Sequence, residues 1–280
     1  KTLQLPAGFR LELAASEPMI EDPIALSFDE DGRLFVIEMR GFMLDIDRNG
    51  ERDPVGRISL LEDSDQDGRF EKATVFVDRL VNPRAVAAIQ GGILYVADYK
   101  LWFAKDTDGD GKADRTELVD AAYGTGNVEH APNGLMPALD NWIYSARSQS
   151  RYRFMNGIWI KQRTEFRGQW GITQDNYGRL FYNVNNSQLL GDFTPPNYMG
   201  RNPNHRTSAG LNLTVATDQR VFTIRMNTAV NRGYLTNVLD PSGKLYVFSS
   251  SCSPVIYRGD NYPDEFQGNG EDSNVNGSDY

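Results

Sequence analysis

Cysteine and histidine are nearly absent from this sequence. Its 280 residues contain one cysteine, Cys252, and two histidines, His130 and His205. A single cysteine excludes an intramolecular disulfide, and a buried structural thiol is its default role. No Cys-x-x-Cys-His occurs, so the chain attaches no c-type haem of its own. No run of about 18 apolar residues occurs, so nothing reads as a membrane-spanning helix. A phosphate-cradling glycine loop and a nucleophile elbow are both missing. Basic residues are few, 29 against 38 acidic ones, for a net charge of −9. An acidic chain is repelled by phosphate backbones, which argues against nucleic acid as a partner. The apolar share of 40% is that of a globular protein long enough to bury one large core or two smaller ones.

Much of the acidic excess sits in loops. Asp106-Thr107-Asp108-Gly109-Asp110-Gly111 continues through Asp114 to Glu117 and completes the D-x-D-x-D-G-x5-E pattern. Asp63-Ser64-Asp65-Gln66-Asp67-Gly68 repeats its first half, with Thr74 where the pattern has Glu. A hard cation such as Ca²⁺ takes about six to eight oxygens around a tight turn, and alternating carboxylates supply them. Strand-forming runs flank the second loop, Ile93–Ala97 and Leu101–Ala104, so the loops read as calcium staples between strands and not as EF-hands. Asp45-Ile46-Asp47-Arg48-Asn49-Gly50 is a shorter third match. Each of the three also reads as an acidic solvated turn. Calcium loops of modest affinity load more reliably outside the cytosol. A secreted or periplasmic protein with its signal removed is therefore expected.

A cassette recurs along the chain: a Gly or Asn turn, then an aliphatic–aromatic pair opening a strand. It appears at Asp31–Val36, Gly91–Val96, Asp140–Tyr144, Tyr177–Phe181 and Ser242–Val247. One hairpin every 40–60 residues or so, with few helical stretches, predicts an all-β fold built as a β-propeller. Five cassettes are visible, and Leu5–Leu13 reads as a strand that closes the ring. A sixth blade is not, which leaves the propeller incomplete. After residue 269 the text turns polar and Gly- and Asn-rich. The propeller domain is therefore expected over 1–269, with a polar tail or discontinuous segment over 270–280.

Leu5-Pro6-x-Gly8-Phe9 and Pro23–Val36 resemble the opening of quinoprotein sugar dehydrogenases of the soluble glucose dehydrogenase type. Leu60–Arg69, Lys105–Asp114, Asn231–Tyr234 and Pro254–Asp260 resemble more specifically the bacterial membrane-bound dehydrogenase N-terminal domains of the haem-c-fused type. The resemblance spans roughly residues 3–269. It implies a six-bladed propeller, a redox function using pyrroloquinoline quinone (PQQ), a sugar or alcohol substrate and a cytochrome c domain or subunit as electron acceptor.

His130, ahead of the third cassette, matches the general base of the sugar dehydrogenases, and an imidazole suits that role near neutral pH. A channel-lining or core histidine is the alternative. Arg167 matches an arginine that holds a PQQ carboxylate, although Gly168 replaces the asparagine of that family. Arg167 pairs equally well with Asp175 or Glu165. Arg232 and Arg258 are further candidates for the quinone, or for salt bridges at blade junctions. The amides of Asn183–Gln188 suit sugar hydroxyls or an ordinary turn, and His205 reads as a solvated loop residue. Two functions follow: a PQQ-dependent dehydrogenase, or a catalytically inactive, calcium-stabilised propeller that docks other proteins.

Overall fold

The computed structural model describes residues 5, 8–202, 204, 209–221, 223, 226, 230, 232–263 and 270–274. His205 and Asn231 lie outside them. The chain divides into two compact units, Lys1–Tyr123 and Gly124–Tyr280.

The first unit contains two four-stranded antiparallel sheets, each a meander in chain order. One is formed by β1 (Pro23–Phe28), β2 (Leu34–Glu38), β3 (Gly56–Glu62) and β4 (Lys72–Leu80). The other is formed by β5 (Ala85–Ile89), β6 (Gly92–Ala97), β7 (Lys100–Lys105) and β8 (Arg115–Asp120). The second unit adds β9 (Asn133–Pro137), β10 (Ile143–Ala146), β11 (Ser150–Met155) and β12 (Ile158–Arg163). Its next sheet is β13 (Ile172–Gln174), β14 (Leu180–Val184), β15 (Ser187–Gly191) and β16 (Leu213–Thr214). A two-stranded ribbon follows, β17 (Ser251–Ile256) with β18 (Gly270–Asn274). Among the described residues no α-helix occurs. Four-stranded meanders in succession are propeller blades, so the fold class is the expected one. Six blades are not counted among the described residues.

Both faces of a sheet are used, which explains why β2 and β6 are buried along their whole length. Phe35, Ile37, Ile58 and Leu60 on one face of the first sheet meet Val86, Ile93 and Tyr95 of the second. On the opposite face Leu34, Val36, Leu61 and Phe70 are covered by Ala15, Met19 and Ile20. In the second unit Trp142 and Tyr144 pack on Ile172, Leu180, Tyr182 and Leu190. Amide side chains stitch this seam. Asn133 donates to the Gln169 carbonyl (2.9 Å) and accepts from the Gly171 N–H (2.8 Å). Gln174 donates to the Pro137 carbonyl (3.3 Å) and accepts from the Leu139 N–H (3.0 Å).

The cassettes share a device that lies just before them. Asp29 accepts the N–H groups of Asp31 and Arg33, Asp175 those of Tyr177 and Arg179, and Asp240 those of Ser242 and Lys244. One carboxylate thus fixes the turn at the second and fourth residues after it, an Asx-type turn. The cassette at Gly91 instead uses a two-residue turn, Gln90-Gly91, with both φ positive (57° and 65°).

Three sequence expectations come out differently. The segment 8–13 forms no strand among the described residues. Among the described residues the cassette at Ser242 makes isolated bridges, Leu239 with Leu245 and Arg220 with Val247. Conversely, Gly270–Asn274, which lacks any apolar pattern, pairs with β17. A ladder of backbone hydrogen bonds does not require apolar side chains.

The Asp240 carboxyl is held below its usual 3.8, first by the Ser242 hydroxyl and then by the Lys244 N–H. A carboxyl depressed in the folded state contributes stability above its unfolded pKa and loses it as pH falls through the folded value. Asp240→Asn is expected to melt below the wild type at neutral pH. The gap should close as the pH is lowered below the ordinary carboxylate range, followed by thermal denaturation.

Candidate functional site

The loops joining β3 to β4 (63–71) and β7 to β8 (106–114) have equal length and the same internal hydrogen bonds. Asp63 accepts the N–H groups of Gln66 (2.7 Å) and Gly68 (2.9 Å); Asp106 accepts those of Gly109 (2.7 Å) and Gly111 (2.8 Å). Asp67 accepts from Arg69, and Asp110 from Lys112, each at 2.8 Å. Glu71 accepts the Ser64 N–H (2.9 Å) as Asp114 accepts that of Thr107 (3.1 Å). The fourth and sixth positions have positive φ in both loops: Gln66 and Gly68 in one, Gly109 and Gly111 in the other. Gln66 therefore holds a conformation that glycine adopts without steric cost.

The structure brings oxygens of Asp63, Asp65, Asp67 and Glu71 within 4.8 Å of one another, and likewise those of Asp106, Asp108 and Asp110. Asp114 is not in the second group; it also takes the Thr107 hydroxyl (2.6 Å). Nor is Glu117, which lies on β8 opposite Phe103 and faces Arg115 at 3.8 Å. Glu71 was missed in the sequence. Its signal is its place as the ninth loop residue, the same as Asp114. Asp45 and Asp47 belong to no such group among the described residues, and Asp45 instead binds the backbone and side-chain amides of Asn49 (3.0 and 2.9 Å).

In the second unit His130 and Arg167 are each engaged by protein groups. His130 ends a short 3-10 turn, Val128–His130, and its Nδ1 lies 3.0 Å from Gln169 Nε2. Gln169 Oε1 is fixed by the Asn185 N–H (3.1 Å), so the amide NH₂ faces the ring. Nδ1 is thereby the acceptor, and the neutral ring carries its proton on Nε2. The ring thus offers a donor at the nitrogen left over, whereas a base would need a lone pair there.

Arg167 is 1% exposed. It donates to Asp192 (2.6 Å), Glu165 (2.9 Å), the Thr164 hydroxyl (2.9 Å) and the Glu165 carbonyl (3.0 Å). Asp192 in turn accepts from the Tyr182 hydroxyl (2.6 Å), whose pKa burial pushes up. Glu165 was legible as a partner; Asp192, brought in by β15, was not. Arg232 is half-buried with φ 61°, and Arg258 is exposed and donates to Asn176 (2.9 Å).

A cavity of about 1070 Å³ opens instead between β10–β12 and the loop that leaves β15. Asp140, Trp142, Arg151 and Gln162 line one side, and Thr164, Glu165, Asn197 and Asn212 another. Arg151 stacks on Trp142 (4.2 Å) and donates to the Tyr144 hydroxyl (2.7 Å) and to Gln162 (3.1 Å). Tyr144 donates to Asp140 (2.8 Å). The loop is tied down by Asn197, which accepts from the Thr164 hydroxyl (2.6 Å) and donates to the Arg163 carbonyl (2.8 Å). Among the described residues, the side chains of Gln149 and Arg163 in this wall make no hydrogen bond. None of His130, Arg167, Arg232 and Arg258 lines it. No sequence pattern announced this cavity, because its walls come from segments about 50 residues apart.

A family model described as Domain of unknown function (DUF7133) matches residues 1–270. No curated protein matches the chain. Among solved structures, a Xanthomonas campestris gluconolactonase is 15% identical, with 61% of this chain and 57% of that one covered and a TM-score of 0.39. A virginiamycin B lyase from Staphylococcus aureus is 12% identical, covering 65% and 55%, with a TM-score of 0.36. A Trichoderma reesei carbohydrate-active enzyme of family AA12 is 13% identical, covering 78% and 62%, with a TM-score of 0.42. The chain spans little more than half the length of the structures it matches first. None of these matches speaks for the haem-c-fused dehydrogenases.

Replacing Arg167 by Met strands Asp192 as an uncompensated buried charge. Stability should fall by about 3–5 kcal/mol. The double variant Arg167→Met/Asp192→Leu should regain part of that loss in urea unfolding.

Proposed function

We propose, for a chain that belongs to the DUF7133 family, that it is a calcium-stapled β-propeller that binds a polyhydroxylated small molecule, a sugar or sugar alcohol. The observation that carries this reading is the composition of the cavity wall. Sugar hydroxyls both donate and accept. The wall alternates donors, Arg151, Arg163 and the amide NH₂ groups, with acceptors, Asp140, Glu165 and the amide carbonyls. Its carboxylates already have protein partners, so no strong net charge selects an ion. Phe166, 44% exposed, offers an apolar face for C–H groups.

The residues do not fit PQQ. The guanidinium expected to hold a quinone carboxylate is committed to Asp192 and Glu165. The imidazole expected as base takes a hydrogen bond at Nδ1. A cytochrome c acceptor belongs to that redox reading and loses its rationale with it. The inactive, protein-docking reading keeps the calcium staples and differs only in its ligand.

The residues do fit Ca²⁺. Asp63, Asp65, Asp67 and Glu71 would hold one ion and Asp106, Asp108 and Asp110 another, all hard oxygen donors on loops already bent for the purpose. The cation would neutralise carboxylates that otherwise repel one another. Calcium at that strength is supplied reliably outside the cytosol, which favours a periplasmic or secreted location.

Calcium-loaded full chain titrated calorimetrically with monosaccharides and alditols should give saturable binding. Gln149→Ala and Arg163→Ala should each weaken it by about tenfold, about 1.4 kcal/mol. Absence of binding, or binding indifferent to both variants, would retire the cavity. Saturable PQQ binding in the same instrument would restore the quinoprotein reading.

Chelation should lower the melting temperature, because an ion that binds only the folded state stabilises it by mass action. Glu71→Gln should reduce calcium affinity more than Glu117→Gln does. Equal effects would remove Glu71 from the ligand set.

A further inference from the structure

Five charged side chains line the cavity between β10–β12 and the loop that leaves β15: Asp140, Glu165, Arg151, Arg163 and Arg201. Their net charge is small, but it is unevenly placed. Both acids have counter-ions. Asp140 faces Arg151 at 3.5 Å and takes the Tyr144 hydroxyl, and Glu165 faces Arg167 at 2.9 Å. Arg151 is held further by Gln162 and by the face of Trp142. Arg163 and Arg201 make no ion pair among the described residues, and their side chains make no hydrogen bond there. A lone surface arginine is commonly solvated. Two on one wall whose carboxylates are spent leave positive charge in a concave space with nothing to meet it.

Two segments bring these arginines to the same wall. Arg163 ends β12. Arg201 ends a 3-10 turn, Met199–Arg201, in the loop that leaves β15. Asn197 ties that loop to β12 by donating to the Arg163 carbonyl (2.8 Å). The turn follows at once, with the Arg201 N–H on the Tyr198 carbonyl (3.4 Å) and the Arg201 guanidinium over the Tyr198 ring (6.0 Å). One unpaired guanidinium thus comes from each of the two segments that Asn197 joins. The rest of the wall offers neutral amides, Gln149, Asn202 and Asn212 among them.

We propose that the ligand of this cavity is a uronate, a sugar whose C6 is a carboxylate, with Arg163 and Arg201 on the carboxylate and the amides on the hydroxyls. The proposal rests on the sugar-binding reading and narrows it. A guanidinium gives a carboxylate two parallel, charge-assisted N–H bonds, which a neutral hydroxyl cannot match. Three arginines less two acids leave the wall one positive charge, which a monoanion meets. A phosphate dianion would exceed it and be repelled by Asp140 and Glu165. The volume of about 1070 Å³ is at the upper end of small-molecule sites, roughly 300–1,000 Å³, so the uronate is either free or one residue of a short chain.

The calcium-loaded full chain is titrated calorimetrically with two pairs matched except at C6, glucose with glucuronate and galactose with galacturonate, and with the 6-phosphate of each. In at least one pair the acid should bind about tenfold more tightly than the neutral sugar, and more tightly than the 6-phosphate. Added salt should narrow that gap. Arg163→Gln and Arg201→Gln should each lower the acid-to-neutral ratio severalfold, and the double variant should bring it to about one. Both residues are exposed, so these variants should melt with the wild type. Arg220→Gln, which breaks an exposed pair with Asp218 outside the cavity lining, should keep the ratio. Digalacturonate separates the two sources: binding tighter than galacturonate supports a chain, and no gain supports the free acid. Equal binding within both pairs, tighter binding of the 6-phosphates, or a ratio unmoved in the double variant would overturn the uronate and leave the sugar reading standing. No binding by any member of either pair would retire both.

Discussion

Two-sided burial of the inner strands β2 and β6 is the constraint from which the rest of this structure follows. A strand covered on both faces cannot alternate buried and exposed residues, so β2 and β6 are buried throughout, and the one charge among them, Glu38, is met by Arg57 and Ser59. Polar backbone is then trapped where a chain leaves one sheet for the next, and it must find partners without water. In the second unit side-chain amides meet that need: Asn133 and Gln174 each serve one backbone donor and one backbone acceptor across a seam, and Gln169 and Asn185 each accept a backbone N–H. Gln169 shows how far this shapes chemistry. By reaching for the Asn185 backbone it dictates which nitrogen of His130 carries the proton.

The legible part of the fold was local. Cassettes, hairpins and carboxylate loops announce themselves because their partners lie within a few residues. Asp63 and Gly68, or Asp106 and Gly111, are bonded at a separation of five. Even Glu71 could have been found by laying one loop over the other. Long-range partners had no such signal. Asp192 lies 25 residues from Arg167, and nothing in its own neighbourhood marks it as the counter-ion. The resemblance to quinoproteins assigned Arg167 to a cofactor because a motif records the residue and not what faces it.

The two ends of each meander do different work. Turns after the first and third strands carry the carboxylate devices, Asp29, Asp175 and the two nine-residue loops. Connectors between sheets and turns after second strands carry the unusual side chains of the second unit, His130, Gln169 and Asn185. Carboxylates at the one end fix local backbone, whereas at the other His130, Gln169 and Asn185 meet across segments distant in sequence.

The self-contained turns bear on how the chain assembles. Every strand of a meander pairs with the strand just before it, so a sheet needs only short loops to close and can form early. The amide stitches need two finished sheets and must come later. During synthesis the first meander is complete at Leu80, before any of β5 has emerged, and its inner face must wait exposed for the second. The interval between one sheet and the next is when this protein is most open to misassociation.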